Sequence, residues 1–244
     1  MPELTDFRVL TFDCYGTLID WESGMIEALG PLTERAGRAG RPLSRDEVLE
    51  AHARQESFQQ GQTPGMRYGR LLAVVYKRLA EQWGVPAAWA ECEAYGRSVG
   101  DWPAFPDSAE ALRYLKRHYA LAILSNVDNE SFQASKERLG VELDAIYTAE
   151  DIGSYKPAGR NFEYMVTKLG ERGFARQDLL HVAESLYHDH APANRLGLAS
   201  CWIHRRHDQE GFGATVDPGE RPAYDFRFTS MAALAEAHRE AVGG

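Results

Sequence analysis

Five short runs, at residues 7–13, 119–125, 145–149, 179–183 and 200–204, are apolar almost throughout, and those after the first alternate with helical patterning. A sixth, at residues 224–228, reads as an edge strand. A strand with one face in water alternates apolar and polar residues. A strand apolar on both faces is covered on both, and the βαβ crossovers of a parallel sheet supply that cover. The expected fold is therefore α/β, a doubly wound parallel sheet. Local signals agree: Asp107 to Glu110 has the form of a capping box ahead of Ala111, Leu112 and Leu115, and Gly140 and Gly170 stand where helices are expected to stop.

Residues 20–100 break this rhythm with several helix patterns and no convincing strand. Ser44 and Glu47 form a second capping box, opening a helix through Arg54. Leu71, Leu72, Val75, Leu79 and Trp83 share one helix face before Gly84-Val-Pro stops it, and Trp89, Cys92, Tyr95 and Val99 make another. The expected organisation is an α/β core formed by residues 1–19 and 101–244, with a helical cap at 20–100. The stripe from Leu71 to Trp83 is the surface on which a homodimer is expected. Residues 207–222, rich in Gly and Pro, read as one long loop.

Acidic residues outnumber basic ones, 36 to 27, for a formal charge of −9, which argues against nucleic acid or an anionic membrane as partner. Cys14, Cys92 and Cys201 are too few and too scattered for a disulfide framework or a CxxC metal site. With no long apolar segment and no signal-like N-terminus, the expected location is cytoplasmic.

Ligands of open α/β sheets bind at the carboxyl ends of the strands. Read in that order, the strand ends supply Asp13 to Thr17, Ser125-Asn126, Tyr155-Lys156-Pro157 and Glu184 to Asp189. Carboxylate, hydroxyl with amide, ammonium and carboxylate together make a plausible nucleophilic constellation.

Phe-Asp13-Cys-Tyr15-Gly-Thr17, Leu-Ser125-Asn126, Tyr-Lys156-Pro and His-Val-Ala-Glu184-Ser-Leu-Tyr-His-Asp189, in this order, resemble the four motifs of the haloacid dehalogenase-like superfamily, whose core is Rossmann-like. The resemblance spans nearly the whole chain, and a helical insert after the first motif is part of it. It implies that Asp13 is a nucleophile. Phosphatases of the superfamily carry a second aspartate two residues later, which protonates the leaving alkoxide; here that place holds Tyr15. A phenol titrates near pH 10 and is a poor acid near neutrality, whereas a halide leaves without a proton. Asp-x-Tyr-Gly-Thr is similar to the L-2-haloacid dehalogenase branch.

That resemblance implies a small-molecule substrate, no cofactor, and the following roles. Asp13 attacks, Thr17 holds its carboxylate, Lys156 orients and neutralises it, and Asp189 holds Lys156 and the hydrolytic water. Asp189 also reads as an N-cap for the next helix. Tyr15, Arg54, Ser125 and Asn126 would bind substrate or halide, Arg54 as the cap arginine. Trp21, Tyr15 and Phe58 are candidates for an apolar wall. Two positions depart from the branch: Phe162 stands where a tyrosine is expected, and Glu184 with Asp189 is more similar to the acidic pair that holds Mg²⁺ in phosphatases. The alternative is accordingly a Mg²⁺-dependent phosphatase with Asp13, Glu184 and Asp189 as ligands. A third reading is an idle member acting as a binding or dimerisation module. His188 and His190, one residue apart, are not expected to share a metal. The run from His204 to His207 reads as a local charge cluster at a strand end.

Overall fold

The apolar runs are buried strands in the computed structural model of the chain, which describes residues 2–243. β1 (Val9–Phe12), β2 (Ala120–Ser125), β3 (Ala145–Thr148), β4 (Leu179–Ala183), β5 (Ala199–Ile203) and the edge strand β6 (Phe226–Phe228) form one parallel sheet in the order β3-β2-β1-β4-β5-β6. The chain adds strands on one side of β1, then crosses to β4 and adds them on the other. That reversal opens a crevice at the carboxyl ends of β1 and β4, where such sheets bind ligands. The register makes the ends level, since Phe12 pairs with Ile123 on one side and Val182 on the other.

Between β1 and β2 come five helices, of which the first four are α1 (Trp21–Arg38), α2 (Arg45–Gln62), α3 (Tyr68–Trp83) and α4 (Trp89–Arg97). The chain leaves and returns side by side. Asp20 N–H donates to Pro103 O (2.8 Å), Phe105 N–H donates to Leu18 O (3.0 Å), and Ile19 bridges Ala104. The fifth, α5 (Ser108–Leu115), leads into β2, and α6 (Asn129–Leu139), α7 (Ala149–Ile152), α8 (Gly159–Glu171), α9 (Ala191–Leu196) and α10 (Met231–Gly243) come between or after the later strands. No helix of the described residues is long and apolar enough to cross a membrane.

Several local readings hold and others change. The Ser44 capping box opens α2, with Ser44 N–H on Glu47 Oε2 (2.7 Å) and Glu47 N–H on Ser44 Oγ (3.3 Å). Gly84 and Gly140 end α3 and α6 in the left-handed conformation. Gly170, by contrast, lies inside α8, which stops at Glu171. The Asp107 side chain does not cap α5: it pairs with Arg205 (2.9 Å) and accepts from Ala232 N–H (3.0 Å), because a buried guanidinium and the start of α10 need the same carboxylate. The stripe from Leu71 to Trp83 is buried within this chain, so it is not a free surface for a second copy. Trp89 is turned out to solvent while Cys92, Tyr95 and Val99 are buried.

α3 and α4 approach closely because both contribute glycine at the crossing. A Cβ on Gly96 would fall 2.0 Å from the Gly69 carbonyl oxygen, whereas one on Gly30 in α1 would meet nothing within 4 Å. Gly96→Ala is expected to lower stability by about 2 kcal/mol or more through forced separation of the two helices. Gly30→Ala, in a helix interior with space, is expected to raise it slightly. Paired thermal melts check the contrast.

Candidate active site

Where β1 ends, Asp13 meets Lys156, from the loop between α7 and α8, and Asp189, from a single π-helical turn at Leu186–His190. Lys156 Nζ donates to Asp13 Oδ1 (2.9 Å), Asp189 Oδ1 (2.7 Å) and Leu124 O (2.9 Å). An ammonium has three protons, and all three are committed. Asp13 Oδ2 accepts from Thr17 Oγ1 (2.8 Å), which in turn accepts from the Glu184 backbone N–H (2.9 Å). All three charged side chains are buried.

Two carboxylates around one ammonium compete for it. Burial raises the pKa of Asp13, and the neighbouring Asp189 charge adds to this; together they outweigh the attraction of Lys156. Burial also opposes ionisation of Asp189, but Lys156 and the hydrogen bond from His181 prevail, holding it below the usual carboxylate range. For Lys156 burial is the largest effect, yet both acids overcome it and keep the ammonium charged. Asp189 is the fixed anion of the cluster.

The sequence reading missed what fixes it. His181, in the middle of β4, places Nε2 2.9 Å from Asp189 Oδ1 and Nδ1 2.9 Å from Thr11 Oγ1 on β1. With Asp189 ionised, Nε2 donates to it, and Nδ1 shares a hydrogen bond with Thr11 Oγ1. Phe162 on α8 packs edge-on against this imidazole (5.0 Å between ring centroids) and is fully buried, so it supports His181. The available signal was a polar residue on each of two adjoining buried strands. Asp189 does not cap α9, because its side chain is committed to Lys156 and His181; the residue before that helix is His190. Its other oxygen, Oδ2, is buried without a partner, as is Ser125 Oγ.

The other expected residues divide. Asn126 is at the site, but its amide clamps the Lys156 peptide, Nδ2 donating to Lys156 O (3.0 Å) and Oδ1 accepting from Lys156 N–H (2.7 Å). Tyr15 lines the pocket with its ring while its hydroxyl is shared with Ser135 Oγ on α6 (2.7 Å), and burial pushes its pKa well up. Arg54 does not join them. Its side chain is 63% exposed on the outer face of α2, paired with Glu50 at 3.6 Å. Phe58 is also outside, 54% exposed beneath Arg78. The helical spacing explains both corrections: the residues of α2 that turn inward are Glu56 and Gln60.

Glu184, taken as a metal ligand in the alternative, lines a neighbouring cleft with Glu22, Arg205 and Arg206. Burial and the Glu22 charge push its pKa up to about 8. Lys156 occupies the position between Asp13 and Asp189, and no cluster of three His, Cys, Asp or Glu side chains among the described residues is arranged to hold a metal ion. Asp13, Glu184 and Asp189 thus do not form a three-acid cluster in this structure. His190 is bound to Ser200 and Ala183 O, and His188 to Ser185. Arg205 and Arg206, in the expected charge cluster, pair inward with Asp107 and Glu22.

The pocket is small, about 40 Å³. Its floor is Asp13, Lys156, Asp189, Ser125 and Asn126; its roof is Trp21, Glu56, Gln60 and Tyr68, closed by Thr215 from the long loop. That loop is tied down by Ala214 N–H to Glu22 (2.9 Å) and Arg206 to Glu22 (2.5 Å).

Removing the fixed anion leaves the buried Lys156 with Asp13 as its one carboxylate partner. Asp189→Asn is expected to lower stability by roughly 3 to 5 kcal/mol at neutral pH. Because the pKa of Asp189 is depressed on folding, its contribution is present above the ordinary carboxylate range and lost as pH falls through the depressed folded value. The deficit of the variant should therefore shrink in acid. Urea melts at several pH values measure it.

The family model for haloacid dehalogenase-like hydrolases matches residues 7–186. Among curated proteins, (S)-2-haloacid dehalogenase 4A of Burkholderia cepacia is 28% identical over 179 residues, covering 67% of this chain and 70% of that one. Pyrimidine 5'-nucleotidase YjjG of Escherichia coli (strain K12) is 26% identical over 114 residues, 45% of this chain and 50% of its own length. The fold is similar to that of L-2-haloacid dehalogenase from Xanthobacter autotrophicus with chloropropionic acid covalently bound, with a TM-score of 0.75 at 16% identity over 96% of this chain and 98% of that one. With the four strand-end motifs gathered around one pocket, the match over most of its length places the chain in the haloacid dehalogenase-like hydrolases, and it is a hydrolase.

Proposed function

We propose that the protein hydrolyses a short 2-haloalkanoic acid to the 2-hydroxy acid. The observation that carries this reading is Tyr15. It stands where an alkoxide leaving group would need a proton donor, and its hydroxyl is bound away from the pocket and held neutral. Such a loop suits a leaving group that departs as an anion unaided, and losing a general acid otherwise costs about 10² to 10⁴ in rate. The small pocket and the similarity to (S)-2-haloacid dehalogenase 4A also support it.

In this reading a carboxylate oxygen of Asp13 attacks C2, the carbon–halogen bond breaks, and halide departs with inversion. The product is an ester of Asp13. Water then adds to the ester carbonyl, the bond from that carbonyl carbon to the substrate oxygen breaks, and 2-hydroxy acid leaves as Asp13 is regenerated. Asp189 Oδ2, buried and unpartnered, is positioned to accept a hydrogen bond from that water and orient it. Lys156 and Thr17 hold the Asp13 carboxylate and stabilise charge that develops on it during hydrolysis. Asn126 positions Lys156 through the clamp on its peptide, and Ser125 Oγ is a donor for the substrate carboxylate. The helices of residues 20–100 act as the cap that closes the pocket. The alternative, a Mg²⁺-dependent phosphatase using the same nucleophile, has the similarity to pyrimidine 5'-nucleotidase YjjG on its side and Tyr15 against it.

Halide release from L- and D-2-chloropropionate and from chloroacetate is expected to survive EDTA and to fall at least about 10³-fold in Asp13→Asn, as for loss of a covalent nucleophile. Phosphate release from p-nitrophenyl phosphate that needs Mg²⁺, with no halide released, would reverse the assignment.

A further inference from the structure

The roof of the pocket has no part in the reaction above, and its charge is the opposite of what a haloacid needs. Lys156 is the one cation among the described residues lining the pocket, and its protons go to Asp13, Asp189 and Leu124 O. With both acids ionised the cluster carries a net charge of about −1. Arg54, expected to receive the substrate carboxylate, points to solvent from the far side of α2. What α2 offers is Glu56, buried, with Gln60 Nε2 donating to its Oε1 (3.2 Å). An ionised Glu56 would add another carboxylate to this enclosed space, and a bound haloacid one more.

We propose that Glu56 sets the charge the pocket accepts, admitting a substrate carboxylate only while its own carboxyl is protonated. The inference rests on the haloacid reading and names the residue that takes the place of a cation. A carboxylic acid beside a carboxylate shares a proton in a charge-assisted hydrogen bond; two carboxylates in a closed pocket repel. Ser125 Oγ, buried and unpartnered on the opposite side, is a second donor to the same group.

The surroundings of Glu56 allow this proton near neutrality. Burial pushes its pKa up to about 7, against a hydrogen bond from Tyr68. One turn back on α2, His52 Nδ1 lies 3.5 Å from Glu56 Oε2, and burial holds this imidazole neutral, down to about 3. Tyr68 on α3, Tyr95 on α4 and Tyr155 just before Lys156 face it as phenols that burial keeps protonated. Across the pocket stand Asp13, Lys156, Asp189 and His188, the last held neutral by burial at about 4.

The test is calorimetric binding of propionate and propionamide, which carry no halogen and cannot turn over, to the native protein and to Glu56→Gln between about pH 5 and about pH 9. Propionate affinity of the native protein should fall about tenfold per pH unit above pH 7, with uptake of one proton read from the buffer dependence of the heat. Propionamide should show no such fall, and Glu56→Gln, whose carboxamide stays neutral, should bind propionate without it. A native affinity for propionate that is flat through neutrality, a fall that persists unchanged in Glu56→Gln, or no propionate binding at any pH would each overturn the proposal; the native titration decides even if the variant fails to fold. Halide assays on the same sample separate the two claims. Linked propionate binding without halide release would overturn the reaction alone, and halide release with flat propionate binding would overturn the role of Glu56 alone.

Discussion

A buried lysine ammonium must find acceptors for all its protons, and the chain meets that demand with Asp13, Asp189 and a strand carbonyl. Much of the site follows from this. Asp13 follows the end of β1 and Asp189 sits in the turn after β4, and the paired register of β1 and β4 makes those two strand ends level. The lysine has to arrive along a fixed path, and the two-point clamp from Asn126 supplies that. The more strongly held acid, Asp189, is anchored through His181 to Thr11, so the central strands contribute side chains as well as scaffold. An anion fixed in this way leaves the other, Asp13, less firmly ionised and closest to the reacting space. That asymmetry matches the proposed roles, Asp13 as nucleophile and Asp189 as its support.

The cap completes the arrangement from the opposite side. Its helices bury their apolar faces within the chain, and the close crossing of α3 on α4 needs the pair Gly69 and Gly96. Asp128 Oδ2, at the start of α6, accepts the Gly69 N–H (2.8 Å), which ties the cap to the core beside Tyr68. A pocket so enclosed magnifies every charge in it. The identity of a single roof residue therefore counts for more than it would on an open surface, and an acid there has consequences a neutral residue lacks.

The strand ends were legible in the sequence because a buried parallel strand has to be apolar and has to stop where its ligand-bearing loop begins. Asp13 and Ser125 stood out for that reason, Lys156 beyond α7 stood out through its Tyr-Lys-Pro motif, and the six strands fall where the apolar runs lie. The orientation of side chains on the cap was not legible. A helix of the length of α2 presents every direction, and Arg54 and Glu56 differ by two residues, about half a turn; which faces inward depends on how α2 packs on α3, a long-range matter. The role of Asp107 was misread for the same kind of reason: its capping signal is local, while the claim of Arg205 comes from the far end of the chain. His181 was passed over because a lone histidine in an apolar strand resembles any buried residue until its two partners, Thr11 and Asp189, are brought beside it. Asn126 was recognised as a site residue, but its task, holding the Lys156 peptide, is visible only once the loop is in place.

The central claim is that Asp13 is the atom donor in the reaction, and single-turnover hydrolysis of L-2-chloropropionate in heavy-oxygen water tests it most directly. With enzyme in excess, mass spectrometry of the peptide containing Asp13 should find the heavy oxygen in that carboxylate, while the first 2-hydroxy acid formed carries ordinary oxygen taken from the enzyme. Heavy oxygen appearing at once in the product, with Asp13 unlabelled, would mean that water attacks the substrate directly and would contradict the account.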